Sequence, residues 1–312
     1  MLPAERLKGI EAFVASVDAG SFTAAAQRLS LTNSAVSKSV ARLEDRLAVR
    51  LFDRTTRKLA LTDAGAAFYQ TCVRVLADLA EAESVLAAGR AEPVGRLRLD
   101  APAAFGRMKV WPLLLQFAES HPHLHPHVSF TDRFVDLIEE GIDLAVRIGG
   151  PEHWPATLGH RYLGRERLIF CAGPSYLARH GVPASLDELV AHAAVLYGRA
   201  DGSTSPWRIA HPDGTVERRT MQGRIVVGSG EAQVAAVQAG CGIAQLATWL
   251  VEDKLASGEL TAILPELTTD GLPLNLVWPV GRQLQPKVAA VVTWLADGLR
   301  VSDADRSRQS SR

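Results

Sequence analysis

The run SFTAAAQRLSLTNSAVSKSVARLEDRL, Ser21 to Leu47, constrains the fold more than any other part of this chain. Its alanine, leucine and arginine content favours helix, yet SLTNS breaks it without a glycine or proline. A helical run that stops at small polar residues and at once resumes is two helices joined by a tight turn. Upstream, Leu7, Ile10, Val14 and Val17 recur at spacings of three and four, one apolar face of a first helix that ends at Gly20. Ser21 is placed to cap a second helix through Leu29, and Thr32 to cap a third that runs to about Leu47. On the third helix Val36, Val40, Leu43 and Leu47 form the buried face. At about 100° per residue the opposite face holds Ser34, Lys38, Ala41 and Asp45, flanked by Ser37 and Arg42.

A small, polar, basic N-terminal face on the second of two closely spaced helices is the form of a helix-turn-helix. In that motif the second helix lies in the major groove with its first residues at the base edges. Bulk at Ser34 or Ser37 would hold the backbone off the bases. The next segment, RLFDRTTRKLALT, predicts two short strands, Leu51–Phe52 and Leu59–Leu61, around the polar tip Thr55–Lys58. Arg54, Arg57 and Lys58 make this hairpin a basic wing suited to phosphates or the adjoining minor groove. The candidate DNA contacts are therefore Thr23, Thr32, Asn33, Ser34, Ser37, Lys38, Arg42, Arg54, Arg57 and Lys58. Charge agrees with this. Residues 1–62 hold ten lysines and arginines against six acidic residues, a local +4 in a chain of zero net charge. By themselves these features also fit a structural helical hairpin beside an ordinary turn.

From Thr62 to about Ala88 the pattern is helical again, and Phe68, Cys72, Val75, Leu79, Ala82 and Leu86 alternate at four and three. That is a seam for a partner helix, or for packing against the chain's own domain. The three cysteines, Cys72, Cys171 and Cys241, are odd in number and widely spaced, which predicts free thiols in a reducing compartment. No apolar run approaches a membrane span of ~18 residues. No apolar segment follows the charged residues near Met1, so a cytoplasmic protein is expected.

The stretch FVASVDAGSFTAAAQRLSLTNSAVSKSVARLEDRLAVRLFDRTTRKLALTDAG resembles the winged helix-turn-helix of the LysR-type transcriptional regulators almost position for position. LRLDAPAAFGR, FTDRFVDLIEEGIDLAVRIGG, PSYLARHG and QAGCGIAQLATWLVEDKLASGEL look like later blocks of the same family, and the resemblance covers about residues 7–300. It implies a ligand-responsive regulator of transcription, a homodimer or homotetramer on an interrupted palindromic operator in double-stranded DNA.

The remainder of the chain alternates strands and helices after a short linker at Gly89–Pro93. Strands are predicted at RLRLDA, DLAVRIGG, ERLIFCAG, AVLYG, RIVVG, GIAQLA and LPLNLVWPV. Helices are predicted at FGRMKVWPLLLQFAESH, SLDELVAH, SGEAQVAAVQAG and from Pro286, with a hairpin turned at Pro212-Asp213-Gly214. The expected fold class is thus an α/β effector domain preceded by a winged helix-turn-helix and a linker helix. The resemblance implies a periplasmic-binding-protein-like arrangement of two subdomains. The expected domains are 1–62 for DNA binding, 63–90 for the linker and dimerisation helix, and 91–302 for effector binding. Within the last, subdomain I takes about 94–163 and 268–300 and subdomain II about 164–267. The polar tail 303–312 is expected to be disordered.

Ligands of such sheets sit outside the C-terminal strand ends, against helix N-termini. That selects Ala101, Pro102 and Ala103, and Gly228, Ser229 and Gly230. The loop GRADGSTS adds Arg199, Ser203 and Thr204, with Tyr197 and Trp207 as an apolar wall. Arg147 follows a buried strand and can meet a carboxylate or pair with a structural acid such as Asp143. Donors dominate this set, so the expected effector is a small carboxylate. HPHLHPH places His121, His123, His125 and His127 at every second position, but its prolines are expected to interrupt strand pairing, and no metal site is assigned. No cofactor is expected. The chain has no G-x-S-x-G, P-loop, H-E-x-x-H or dinucleotide fingerprint, so an enzyme is not expected. A solute-binding protein, which the later half alone would suggest, is the competing class.

Overall fold

The structure, a computed structural model, describes residues 3–53, 59–88, 92–199 and 201–299. The wing tip with Arg54, Arg57 and Lys58, and the tail 303–312, lie outside the described residues. The chain divides into two compact units, Met1–Ala91 and Glu92–Arg312.

In the first unit, helix α1 spans Pro3–Ala19, α2 Phe22–Arg28 and α3 Asn33–Leu47. Gly20 closes α1 at φ +66°, a left-handed conformation that glycine adopts without a Cβ penalty. Ser21 and Thr32 cap the next two helices, their hydroxyls accepting from the amides of Ala24 and Ala35. The chain between α2 and α3 turns through Ser30, also at positive φ, which answers how a helical sequence can break without glycine. Strands β1, Phe52–Asp53, and β2, Ala60–Leu61, pair antiparallel as the stem of the wing. Helix α4 follows as one piece, Asp63–Ala88. The core gathers Phe13, Val36, Val40, Leu43, Leu51 and Phe52, with the Phe13 ring edge-on to Phe52 at 5.3 Å. Phe68 and Cys72 of the heptad-like seam belong to this core, and burial pushes the Cys72 thiol up to about 11. Val75 and Leu79, further along the same seam, are exposed.

The second unit is built on a nine-stranded mixed sheet. In chain order its elements are β3 (Gly95–Ala101), α5 (Ala103–Phe105), a π-helical turn (Gly106–Val110), α6 (Trp111–Ser120), β4 (Leu124–Phe130) and β5 (Leu144–Ile148). Then come β6 (Leu158–Ala172), α7 (Pro174–His180), α8 (Leu186–Ala191), β7 (Ala194–Tyr197), β8 (Trp207–Ala210) and β9 (Val216–Arg219). Next are β10 (Gly223–Val227), α9 (Gly230–Gln238), β11 (Ile243–Ala247) and α10 (Thr248–Ala256). Last are β12 (Thr261–Ile263), β13 (Thr269–Pro279) and α11 (Pro286–Gly298). The strand order is β10-β7-β11-β6-β13-β5-β3-β4, β12 also pairs with β6, and β8–β9 form a separate hairpin.

Strands β6 and β13 are longer than the sequence pattern suggested, and they pair antiparallel from Thr269 opposite Leu168 to Pro279 opposite Leu158. On one side of this pair, α6 and α11 pack on β3 and β5 through Leu97, Leu99, Leu114, Val146, Leu276 and Val291. On the other, α9 and α10 cover one face through Val195, Val237, Ala244 and Val251. The opposite face carries Phe170, Tyr176, Leu189 and Trp207.

Two expectations need correction. The predicted helix from Phe105 is not one regular α-helix, because Gly106–Val110 widens into a π turn. Pro112 follows at the second position of α6; a proline lacks the N–H that a continuous helix would require there. Pro126 of the histidine run does not interrupt pairing either, while Pro122 lies in the turn before β4. Strand β4 runs in register along β3 from Leu124 to Phe130, with Pro126 opposite Leu97. It is tolerated because β4 is the edge of the sheet.

Gly106 lies so close to β4 that an added Cβ would fall 2.5 Å from Phe130 Cδ1 and 2.9 Å from the Ala101 Cβ. Gly106→Ala is therefore expected to overpack this junction and destabilise the protein by about 1–3 kcal/mol. A thermal or urea unfolding curve indistinguishable from that of the parent chain would refute the close approach.

Candidate DNA interface and effector site

In the first unit, Asn33, Ser34, Lys38 and Arg42 are exposed on α3, with Thr32 at its N-cap and Thr23 exposed on α2. The amide of Asn33 donates to Thr23 Oγ1 at 3.0 Å, and Ser37 Oγ donates to Asn33 Oδ1 at 3.4 Å. The first bond ties the start of α3 to the start of α2, and the second holds the Asn33 amide in place from within α3. Lys38 and Arg42 have no hydrogen bond or ion pair among the described residues, so both cations remain available to an anionic partner.

Sequence reasoning missed Glu44. It is 3% exposed, and its Oε1 accepts from the backbone amides of Leu51 at 2.7 Å and Phe52 at 3.1 Å, while Arg50 approaches Oε2 at 3.2 Å. The carboxylate thus fastens the first wing strand to the helix that exposes Lys38. Burial works to raise the Glu44 pKa, but the two amides and Arg50 outweigh it and hold the carboxyl below its ordinary value. The only sequence signal was an acid one position beyond the apolar Leu43, on the helix flank.

In the second unit, the structure draws three of the predicted segments together. Gly198 N donates to Val227 O at 2.9 Å, joining the loop after β7 to the strand end before Gly228. Arg199 folds back on that loop, donating to Ser203 Oγ at 3.2 Å and Thr204 O at 3.3 Å. Ser229 caps α9, its Oγ accepting from Ala232 N at 3.3 Å. Across from these, Ala101 is fully buried, while Pro102 and Ala103 are half-buried at the head of α5. Asp132, absent from the predicted set, accepts from Ala103 N at 2.9 Å and from the Tyr197 hydroxyl at 3.3 Å, bridging the two sides. Burial, with Asp132 adding to it, raises the Tyr197 pKa. An Arg107–Glu231 ion pair makes a second bridge. Both bridging acids sit where an ordinary loop or helix-start acid would, so the sequence alone carried no mark of them.

Arg147 stands apart from this group. It is 4% exposed, and its Nη1 meets Asp100 Oδ2 at 2.5 Å. Asp100 also accepts from Ser129 Oγ. The structural acid beside Arg147 is therefore Asp100, not Asp143, which instead holds Arg282 and the buried Lys287. Trp207 is likewise buried, in the core beneath β8. Of the histidine run, His125 and His127 are exposed on β4, opposite Arg96 and Arg98 of β3. Burial and then these guanidiniums lower the His127 pKa, an environment that opposes a bound cation.

Two family models match the chain: "Bacterial regulatory helix-turn-helix protein, lysR family" over residues 7–66 and "LysR substrate binding domain" over residues 90–300. Similar proteins include an uncharacterized HTH-type transcriptional regulator of Haemophilus influenzae, 36% identical over 92% of this chain and 98% of the relative. The HTH-type transcriptional regulator CrgA of Neisseria meningitidis is 34% identical over 92% of this chain and 95% of its own. The HTH-type transcriptional activator AaeR of Escherichia coli is 32% identical over 94% of each. The solved structure of CrgA matches with a TM-score of 0.59 at 33% identity, covering 93% of this chain and 97% of that one. A solute-binding protein would leave the match over residues 7–66 unaccounted for.

Glu44→Ala is expected to leave the Leu51 and Phe52 amides buried without an acceptor, at about 1–3 kcal/mol. The folded-state pKa of Glu44 lies below its unfolded value, so its contribution is present above the unfolded value and is lost as pH falls through the folded one. The stability gap between parent and variant should accordingly narrow on acidification, and unfolding curves at neutral and acid pH measure it. A gap that is independent of pH would contradict the assignment.

Proposed function

Because the chain belongs to the LysR family of bacterial transcriptional regulators, we propose that residues 1–62 grip an interrupted palindromic operator and that residues 91–302 report the presence of a small effector. The exposed cations Lys38 and Arg42 on α3, which pair with no group among the described residues, carry the first half of this reading. Thr23, Thr32, Asn33, Ser34 and Ser37 meet the base edges, and the wing residues Arg54, Arg57 and Lys58 meet the backbone. The exposed Val75 and Leu79 on α4 support a helix pairing with a second copy, giving a homodimer or homotetramer. The protein acts in the cytoplasm, where DNA is found, and has no catalytic role.

The effector sits between subdomain I, about 94–163 and 268–300, and subdomain II, about 164–267. Its contacts come from Pro102, Ala103, Arg199, Ser203, Thr204, Gly228, Ser229 and Gly230, with the buried Ala101 and Arg147 behind them. The Asp132 bridge carries this half, because it crosses the same space as the Arg107–Glu231 pair. The amides and hydroxyls favour a carboxylate. Asp132 adds an acceptor, which favours a carboxylate that also bears a hydroxyl or amine. Binding then biases one DNA-bound arrangement over another through its different affinity for the two.

Two measurements test these readings. In gel shifts with DNA upstream of the gene, Lys38→Ala should weaken binding and, if the side chain meets phosphate, lower the salt slope by about one unit. Unchanged affinity and slope would misplace the DNA face. In a thermal-shift screen of hydroxy- and aminocarboxylates on the full chain, a stabilising ligand should lose its effect in Ser229→Trp. Full retention of the shift would move the effector elsewhere.

A further inference from the structure

The hairpin β8–β9 breaks a local rule. Its register sets Arg208 directly opposite Arg218, and like charges directly opposite on paired strands destabilise a hairpin. A third and a fourth guanidinium stand nearby on β6. Arg165 donates to the carbonyl of Gly271 at 3.3 Å, Arg208 Nε donates to the carbonyl of Asp270 at 3.0 Å, and Arg167 lies 3.6 Å from the Asp270 carboxylate. Arg165, Arg167 and Arg218 are exposed, and Arg218 has no hydrogen bond or ion pair among the described residues. Four guanidinium groups therefore gather around the start of β13, where Asp270 is the carboxylate that answers them.

Their backbone is held in place. Gln245 Oε1 accepts from Arg208 N at 2.8 Å and its amide donates to Arg208 O at 2.6 Å, so the side chain of Gln245 clamps the Arg208 peptide to β11. Trp207 and Ile209 on either side are buried. Nothing in the packing requires an arginine at 218, which is the outer partner of the pair. Each arginine presents five N–H donors in a fixed fork, and the contacts above use few of them. Burial, and after it the charges of Arg218 and Arg165, lower the Arg208 pKa. A local electrostatic rule broken at a fixed, solvent-reachable place marks a functional or a strained site.

We propose that Arg165, Arg208 and Arg218 form a binding site for a small polyvalent oxyanion, of the phosphate or polycarboxylate class, separate from the effector cleft. The anion takes the unused N–H donors of the three forks, relieves their repulsion, and ties the β8–β9 hairpin to the paired strands β6 and β13.

Isothermal titration of the full chain with inorganic pyrophosphate, at ionic strength matched with sodium chloride, tests this. Saturable binding at a single site per chain is expected, weakened about tenfold or more in Arg218→Gln and in Arg208→Gln and unchanged in Ser229→Trp. Absence of saturable binding, equal affinity in Arg218→Gln, or loss in Ser229→Trp would each overturn the proposal. Stability gives an independent reading that does not need the ligand. Without the anion, Arg218→Gln should melt above the parent chain at low salt, and the difference should close as salt screens the cluster. A melting point at or below that of the parent at low salt would also overturn it. So would duplex DNA affinity that falls in Arg218→Gln while pyrophosphate affinity does not, since the cluster would then serve nucleic acid.

Discussion

The second unit depends on one pairing, that of β6 with β13. These two strands sit in the middle of the sheet, and both of its packing centres are built outward from them. The register slips between Asp270 and Pro273, and the polar groups freed there are taken up by side chains. Arg208 and Arg165 hold the carbonyls of Asp270 and Gly271. Glu166, facing the other way, accepts from the Trp249 indole at 2.9 Å, and Trp249 stands edge-on to Phe105 at 5.0 Å. Burial raises the Glu166 pKa, against the pull of Trp249 and the Leu272 amide. Any rotation of one half of the sheet against the other has to be absorbed in these two strands, next to this cluster.

The first unit has an analogous single point, the Glu44 carboxylate. A winged helix-turn-helix presents two separate elements to DNA, and their spacing must be kept. Glu44 lies on the flank of α3 and ends on the first residues of the wing stem, so one buried side chain links both. The cost of burying a carboxylate is offset by two amides and a guanidinium. Tyr69 on α4 donates to Asp18 of α1, and Asp18 pairs with Arg28 of α2, so a more exposed carboxylate joins α4 to the first two helices.

The candidate effector site is electrically balanced. Arg107 faces Glu231, and the Ala103 amide and the Tyr197 hydroxyl face Asp132. A ligand entering this space exchanges internal partners for its own atoms, so its affinity is a difference between two sets of hydrogen bonds. That makes the site suited to a switch, because each bridge broken by a ligand changes the contact between two walls.

Much of the fold was legible in the residues alone. Ser21 and Thr32 bounded α2 and α3 because a hydroxyl just before a helical run satisfies amides that helix geometry leaves free. The three- and four-residue spacing of Val36, Val40 and Leu43 oriented α3, since a helix can bury only one stripe. The strands of the second unit were legible as short apolar runs between turns. What the residues could not reveal were the pairings between distant side chains. Glu44 with Leu51 and Phe52, Asp132 with Ala103 and Tyr197, Arg147 with Asp100, and Arg208 opposite Arg218 are all set by where the backbone brings charges that carry no local signature. Periodicity is a property of neighbours along the chain and so survives in the sequence. The partner of a charge depends on register and topology, and only the tertiary structure decides whether an arginine ends in a salt bridge, a core or an open site.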